Sequence, residues 1–275
     1  IEVTKIPWGR HKPVLRATRA MRRLIREHSI DVLHTHGWYA DYLGAFLRWW
    51  TPVKTVSTVY VWSKFDWKRN ILQAVDKFAL RSFDKVTAHC EDTYRKTLSF
   101  GMPKEKVGLL ICGFELNGWE ISPEERSGRR REMGIADDQI LLANVARFYP
   151  EKVHDQLLRC FKRIVERNPQ ARLWILGVGP LEREIKRYCT ELGLDSTVRF
   201  LGFVDDLAAL MPLVDIQVHP SRMEGVALSI LTGMAVGLPI VASDVGGLKE
   251  VLRHEESSLL VPRDDEEGFV RAINR

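Results

Sequence analysis

Short apolar runs alternate with amphipathic segments along this 275-residue sequence, and the alternation constrains the fold more than any other feature. Runs such as 53–61 and 140–146 have the length and the β-branched or aliphatic content of buried strands. Between the runs, segments such as 14–28 repeat apolar residues at helical spacing. Strands that alternate with helices form parallel sheets through βαβ crossovers. The sequence therefore predicts an α/β protein.

The predicted elements follow one another in a regular order. Strands are predicted at residues 31–36, 53–61, 85–88, 107–111, 140–146, 172–176, 198–201, 216–218, 239–242 and 259–261. Helices are predicted at residues 14–28, 69–81, 156–167, 181–192, 207–213, 227–236 and 248–252. This order predicts two doubly wound domains, with a ligand site in the cleft between them.

Charge and tryptophan content divide the sequence in two. Residues 1–120 carry 20 Lys and Arg against 12 Asp and Glu, with seven of the eight Trp, and the rest carries 21 against 24. We predict domains at residues 1–121 and 138–275, joined by a polar, arginine-rich linker at 122–137. By charge, the first domain suits anionic lipid, an anionic acceptor or nucleic acid, and a solvated basic surface explains the pattern equally well.

Several protein classes are excluded by composition. No apolar run approaches the ~18 residues of a membrane-spanning helix. The four Cys are scattered without a CxxC pair, which argues against a disulfide framework or a zinc site and fits a reducing compartment. The sequence opens on Ile1 without a signal peptide, so we expect it to be an excerpt of a longer chain.

Two cations follow the predicted strand 140–146. Arg147 comes directly after the strand, and Lys152 lies five residues further on. The carboxyl ends of strands are where open α/β sheets bind ligands. An arginine fork and a lysine point charge on one such loop can neutralise a diphosphate. A pair of ordinary surface charges is the competing interpretation.

The loop 220–225 lies between a predicted strand and a predicted helix. Gly225 lets the backbone approach a ligand closely, and the N–H groups that open the next helix form an anion site. Glu224 does not attract phosphate, but its carboxylate accepts hydrogen bonds from hydroxyls, so a sugar beside a phosphate suits the loop. Alternatively, Glu224 simply stabilises the start of the helix.

Glycine pairs follow two further strands. Gly177 and Gly179 follow one strand, and Gly246 and Gly247 follow another. The first pair is followed by Pro180 rather than by the third glycine of a dinucleotide fingerprint, which argues against an NAD-dependent dehydrogenase.

Two histidines end the predicted strand 31–36. His34 and His36 point to the same face, so metal ligation is conceivable, but no Cys or carboxylate has matching spacing. Structural or acceptor-contacting roles are favoured. The sequence contains neither a Ser-His-Asp signature nor a P-loop.

The motifs together resemble those of the GT4-type retaining glycosyltransferases, which have the GT-B fold of two Rossmann-like domains facing across a cleft. In the second domain, the matching residues are Arg147, Glu151-Lys152, Gly177-Val178-Gly179-Pro180, Phe200-Leu201-Gly202, Val214-Asp215, Pro220-Ser221, Glu224-Gly225, Gly233-Met234-Ala235, the run 237–247 and Glu250. In the first domain, 31–37 resembles that family's D-hydrophobic-HxH strand, and 110–115 resembles its interdomain turn.

The resemblance implies transfer of a sugar from a UDP- or GDP-sugar to a lipid-linked or carbohydrate acceptor, with retained configuration, no cofactor and no metal. It implies catalytic roles for Arg147, Lys152 and Glu224. Residues implied to bind the donor are Gly177, Gly179, Phe203, Val204, Ser221, Gly225, Val226, Ala227, Leu228 and Thr232. His34, His36 and Tyr60 would lie on the acceptor and sugar side.

The same resemblance implies a setting for the protein. It implies a cytoplasmic protein of cell-envelope or exopolysaccharide synthesis that touches an anionic membrane peripherally, without a nucleic-acid partner. The arginines of 14–28 and the nearby tryptophans suit such a surface.

Departures from the family pattern keep two alternatives open. Thr232 stands where the family has a ribose-binding Glu, and Tyr60 stands where it has a His. The family's opening strand, the Gly-rich loop after it and its final helix are not in this sequence, so we expect the first domain to be incomplete and the sequence by itself to be inactive. The alternatives are a degenerate homologue that binds without turnover and a GT-B sugar-nucleotide epimerase.

Overall fold

A computed structural model of the chain describes residues 14–62, 67–111, 113–115 and 118–275. The chain divides into two compact units, Ile1–Cys112 and Gly113–Arg275. Each unit is built on its own parallel sheet. Among the described residues, no helix is long and apolar enough to cross a bilayer.

The described part of the first unit has a four-stranded sheet in the order β1-β2-β3-β4. The strands are β1 Val32–His36, β2 Lys54–Val59, β3 Lys85–Ala88 and β4 Val107–Leu109, and the helices are α1 Val14–Glu27, α2 Trp38–Arg48, α3 Trp67–Leu80 and α4 Glu91–Ser99. All neighbouring strands pair in parallel. Phe83 and Val86 lie fully buried in the core between sheet and helices.

The second unit has a six-stranded parallel sheet in the order β10-β9-β8-β5-β6-β7. The strands are β5 Ile140–Val145, β6 Ala171–Leu176, β7 Val198–Gly202, β8 Ile216–His219, β9 Ile240–Ser243 and β10 Leu259–Val261. The helices are α5 Pro123–Glu132, α6 His154–Arg167, α7 Glu182–Glu191, α8 Leu228–Ala235, α9 Leu248–Val251 and α10 Glu266–Ile273. Apart from Asn144 and Arg172, strands β5 and β6 are apolar, because side chains on both faces of the sheet are buried.

The segment predicted as a linker contains a helix of the second unit. Ser122 caps α5 by accepting a hydrogen bond from the Glu125 N–H at 3.1 Å. Arg126 and Arg130 pair with the Asp215 carboxylate at 2.5 and 2.9 Å, and the Arg130 side chain is only 3% exposed. The arginines of this polar segment bind a carboxylate and backbone carbonyls of the second unit.

The α/β class and the predicted strands are confirmed, whereas the predicted helices differ in places. Residues 207–213 contain only a 3₁₀ turn, Met211–Leu213, instead of a helix. Helices α2, α4, α5 and α10 were not predicted. The sequence of α4 is too polar for a clear apolar stripe, although Thr93 and Thr97 are buried against the unit's core.

Candidate functional site

The order of the strands in the second unit creates a crevice beside β5. The chain runs from β5 to β6 and β7 on one side, and then returns to β8 on the other side. Loops after β5 and β8 therefore leave the sheet in opposite directions, and open α/β sheets bind ligands at such a point. A cavity of about 810 Å³ lies there. Nine of the predicted residues line it: Arg147, Lys152, Gly177, Phe203, Val204, Glu224, Ala227, Leu228 and Thr232.

Lys152 and Glu224 form an ion pair across this crevice. Their side chains are 13% and 8% exposed, and Lys152 Nζ donates to Glu224 Oε1. The Arg222 N–H donates to the Glu151 carbonyl at 2.9 Å and so ties the loop that carries Glu224 to the turn that carries Lys152. Val153 has a left-handed backbone at φ 44°, which a β-branched residue rarely adopts. The packing around the turn holds Lys152 in place against this strain.

Two neighbours complete the surroundings of Glu224. His219 Nε2 lies 2.6 Å from Glu224 Oε1, and the Ser221 hydroxyl donates to the same oxygen at 2.9 Å. Burial alone would raise the pKa of Glu224, but His219 and Lys152 outweigh it and lower the pKa to about 2. The carboxylate is thus ionised and acts as a hydrogen-bond acceptor.

Arg147 lies on the same cavity and is differently placed. Its side chain is exposed, and its guanidinium lies 5.0 Å from the centre of the Tyr149 ring. No Asp or Glu carboxylate among the described residues forms an ion pair with Arg147. A guanidinium held by stacking and without a carboxylate partner is available to an anionic ligand.

The glycines that follow the strands allow loops to pack closely. A Cβ on Gly177 would lie 2.1 Å from the Ala146 carbonyl oxygen, and a Cβ on Gly179 would lie 2.6 Å from that of Phe148. On the other side, a Cβ on Gly246 would lie 1.9 Å from the Glu224 carbonyl oxygen. These glycines therefore position the two loops that carry Arg147 and Glu224.

The start of α8 faces the cavity. No side chain caps the helix, whose N-cap is Ala227, so the first N–H groups are available to an anion. Thr232 is 4% exposed, and its hydroxyl donates to the Ser229 carbonyl within the helix at 2.6 Å. Its oxygen can therefore only accept a further hydrogen bond. Ser221, Gly225 and Val226 belong to the loop just before the helix.

Sequence reasoning missed two buried histidines beside the ion pair. His219 is 1% exposed, and His154 is 2% exposed and stacks on Phe148 at 4.4 Å between ring centres. Burial, with the neighbouring His219 and Lys152, lowers the pKa of His154 to about 4. The sequence feature that could have revealed His219 is its position as a polar residue at the end of an apolar predicted strand.

In the first unit, the predicted His34, His36 and Tyr60 lie close together at the carboxyl ends of β1 and β2. His34 Nε2 lies 2.8 Å from the Thr58 hydroxyl, and His36 Nδ1 lies 2.8 Å from the Tyr60 hydroxyl. Burial and the neighbouring His36 lower the pKa of His34. Within the described parts of the chain, no group of three or more His, Cys, Asp and Glu is arranged to hold a metal ion.

Comparison with known proteins gives a consistent result over both units. The family model described as "Glycosyl transferase 4-like domain" matches residues 1–113, and the model "Glycosyl transferases group 1" matches residues 139–275.

Individual proteins are similar over most of the chain. An uncharacterized glycosyltransferase of Methanocaldococcus jannaschii is 30% identical over 260 residues, which are 89% of this chain and 65% of the relative. The UDP-Gal:alpha-D-GlcNAc-diphosphoundecaprenol alpha-1,3-galactosyltransferase of Escherichia coli is 24% identical over 93% of this chain and 68% of its own length. The chain thus spans about two thirds of these relatives.

Among solved structures, Anabaena HepE in complex with UDP and glucose shares the fold. Its TM-score to this chain is 0.84 at 22% identity, over 99% of this chain and 74% of HepE.

Proposed function

The chain belongs to the GT4-type glycosyltransferases of the GT-B fold, and on this basis we propose that its second unit binds a nucleoside-diphosphate sugar for transfer to an acceptor. One observation carries the proposal: Arg147, Lys152 and Glu224 line a single cavity at the point where the strand order reverses. HepE, whose structure holds UDP and glucose, supports the same donor class. UDP and GDP sugars are the proposed donors.

The diphosphate is assigned to the two cations. The Arg147 fork binds two oxygens, and Lys152 Nζ, which now donates to Glu224, shares its remaining hydrogens with a third. The N–H groups that open α8 add an uncapped helix start on the same cavity. As the glycosidic bond breaks, negative charge grows on the leaving diphosphate, and these positive groups stabilise it without a metal ion or other cofactor.

The sugar and the nucleoside are assigned to the rest of the cavity. Glu224 accepts hydrogen bonds from sugar hydroxyls because its carboxylate stays ionised. Phe203 and Val204, which follow β7 on the cavity wall, contact the base, and Thr232 accepts a hydrogen bond from the ribose. Retention of the anomeric configuration belongs to the proposal and follows from the family pattern.

The first unit is proposed to bind the acceptor and to contact a membrane peripherally in the cytoplasm. His34, His36 and Tyr60 would face a lipid-linked or carbohydrate acceptor in cell-envelope or exopolysaccharide synthesis. The Escherichia coli relative, whose name gives a diphosphoundecaprenol acceptor, supports this class. Exposed Trp49 and Trp50, with Arg22 5.9 Å from the Trp50 ring, give a basic aromatic surface that suits anionic lipid rather than nucleic acid.

The proposal is tested with a panel of UDP-, GDP- and ADP-sugars. Calorimetry measures binding to this chain, and nucleotide release by the intact protein, with and without acceptor, measures transfer. Binding of at least one sugar nucleotide and acceptor-dependent release are expected, and the absence of binding across the panel would refute the donor assignment. Binding without release favours the degenerate homologue, an alternative that the internal hydrogen bond of the Thr232 hydroxyl supports.

A further inference from the structure

His219 ends β8 beneath the proposed sugar-binding carboxylate and does not line the cavity. Its side chain is 1% exposed. A polar imidazole at the end of a buried strand is expected to have a partner, because an unpaired buried polar group destabilises the fold. That partner is Glu224, whose Oε1 lies 2.6 Å from Nε2.

The hydrogen bonds described for the Glu224 carboxylate all end on the same oxygen. Oε1 accepts from Lys152 Nζ, from His219 Nε2 and from the Ser221 hydroxyl. Three donors saturate one carboxylate oxygen and fix the plane of the group. Oε2 is left to accept from a ligand in the cavity that Glu224 lines.

The other ring nitrogen indicates which tautomer is present. His219 Nδ1 is buried and has no described partner. An N–H at this position would be an unsatisfied buried donor, so the proton belongs on Nε2, where it is shared between Glu224 Oε1 and the Ser221 hydroxyl 3.1 Å away. The nearby His154, whose pKa is lowered to about 4 mainly by burial, is neutral.

From this geometry we infer that His219 is a positioning residue, which holds Glu224 Oε1 so that Oε2 accepts a hydroxyl of the donor's sugar. The inference rests on the proposed function and deepens it. Because His219 acts only through Glu224, it governs the affinity for the sugar portion of the donor. The affinity for the nucleoside diphosphate alone depends on Arg147, Lys152 and the start of α8, and is independent of His219.

The test compares His219→Leu with His219→Gln, which keeps an N–H near the position of Nε2. Calorimetry measures the affinity for UDP and for UDP-glucose, or for the GDP or ADP pair if the wild-type protein prefers it. His219→Leu is expected to lose roughly tenfold in affinity for the sugar nucleotide, as for one lost hydrogen bond to a charged group. Its affinity for the free diphosphate should stay within about twofold, and His219→Gln should restore most of the loss.

Each outcome has one meaning. Equal losses for both ligands, or a His219→Gln variant as weak as His219→Leu, would overturn the positioning role. If His219→Leu does not fold, His219→Phe replaces it: this change also removes the Nε2 donor and should weaken only the sugar nucleotide, and equal affinity to wild type overturns the inference. A wild-type protein that binds no sugar nucleotide refutes the proposed function itself and the inference with it.

Discussion

Each unit contains a buried cluster of ionisable groups, and the two clusters differ in what surrounds their carboxyl groups. In the second unit, Glu224 is buried with a lysine and a histidine beside it. In the first unit, Asp41 and Asp76, on α2 and α3, are 2% and 1% exposed and have each other as neighbours. One carboxyl group meets opposite charge, and the other meets a like group.

As a consequence, Glu224 is ionised at neutral pH and Asp76 keeps its proton. His219 and Lys152 overcome the effect of burial and lower the pKa of Glu224 to about 2. Burial, with the charge of Asp41, raises the pKa of Asp76 to about 8. A buried carboxyl group beside a lysine and other hydrogen-bond donors stays ionised and is a candidate binding group, whereas one beside another carboxyl group holds its proton.

The largest predicted effect concerns the ion pair of the second unit. Lys152→Met leaves Glu224 as a buried charge without its lysine partner, and we expect a loss of about 3–5 kcal/mol in the free energy of unfolding. The double variant Lys152→Met/Glu224→Gln should be less destabilised, because both charges are gone. Urea unfolding measures the stability of both variants, with Arg253→Ala at an exposed position as the control. A double variant less stable than the single variant would contradict the pairing.

The next effect is a pH dependence of opposite sign in the two clusters. Asp76 keeps its proton in the folded protein but loses it on unfolding between pH 3.8 and about 8, so its contribution to stability falls as pH rises through this window. The slope is about 1.4 kcal/mol per pH unit for one proton. Glu224 has a lowered pKa, so its contribution is present above pH 4.5 and is lost as pH falls toward 2.

Asp76→Asn isolates the first of these contributions. The amide cannot ionise, so the stability of the variant should increase relative to that of wild type as pH rises from 5 to 8. Denaturant unfolding at several pH values gives the difference between the two proteins. A difference that stays constant across this range would show that Asp76 is ionised in the folded state.

The predictable and unpredictable parts of the molecule differ for physical reasons. Buried parallel strands are continuous apolar runs, so the strands, and with them Arg147, Lys152 and Glu224 at their carboxyl ends, followed from local sequence. The Asp41–Asp76 pair was invisible because 35 positions separate the two acids, and only the packing of α2 on α3 brings them together. His219 was missed because a single polar residue at a strand end has no periodic signal.

A smaller predicted effect on stability distinguishes a steric clash of an added Cβ from the backbone strain of a positive φ. Gly246 and Gly237 both have positive φ, at 50° and 70°, but only Gly246 would place a Cβ against the Glu224 carbonyl. Gly237→Ala should lose about 1 kcal/mol of stability from its backbone alone, and Gly246→Ala should lose more. Gly246→Ala should also weaken binding of the sugar nucleotide, because the loop with Glu224 must move. If Gly246→Ala affected stability and binding no more than Gly237→Ala does, the loop would tolerate the added Cβ.

Cations that bind the diphosphate are central to the proposed donor site, and Arg147 tests their role most directly because it is exposed and is not part of the buried pair. The measurement is a calorimetric titration of wild type, Arg147→Ala and the control Arg253→Ala with UDP or with the preferred diphosphate. We predict that Arg147→Ala loses about 1.5–3 kcal/mol of binding free energy, the range for hydrogen bonds to charged groups, while the control is unchanged. An affinity of Arg147→Ala equal to that of wild type would contradict the account.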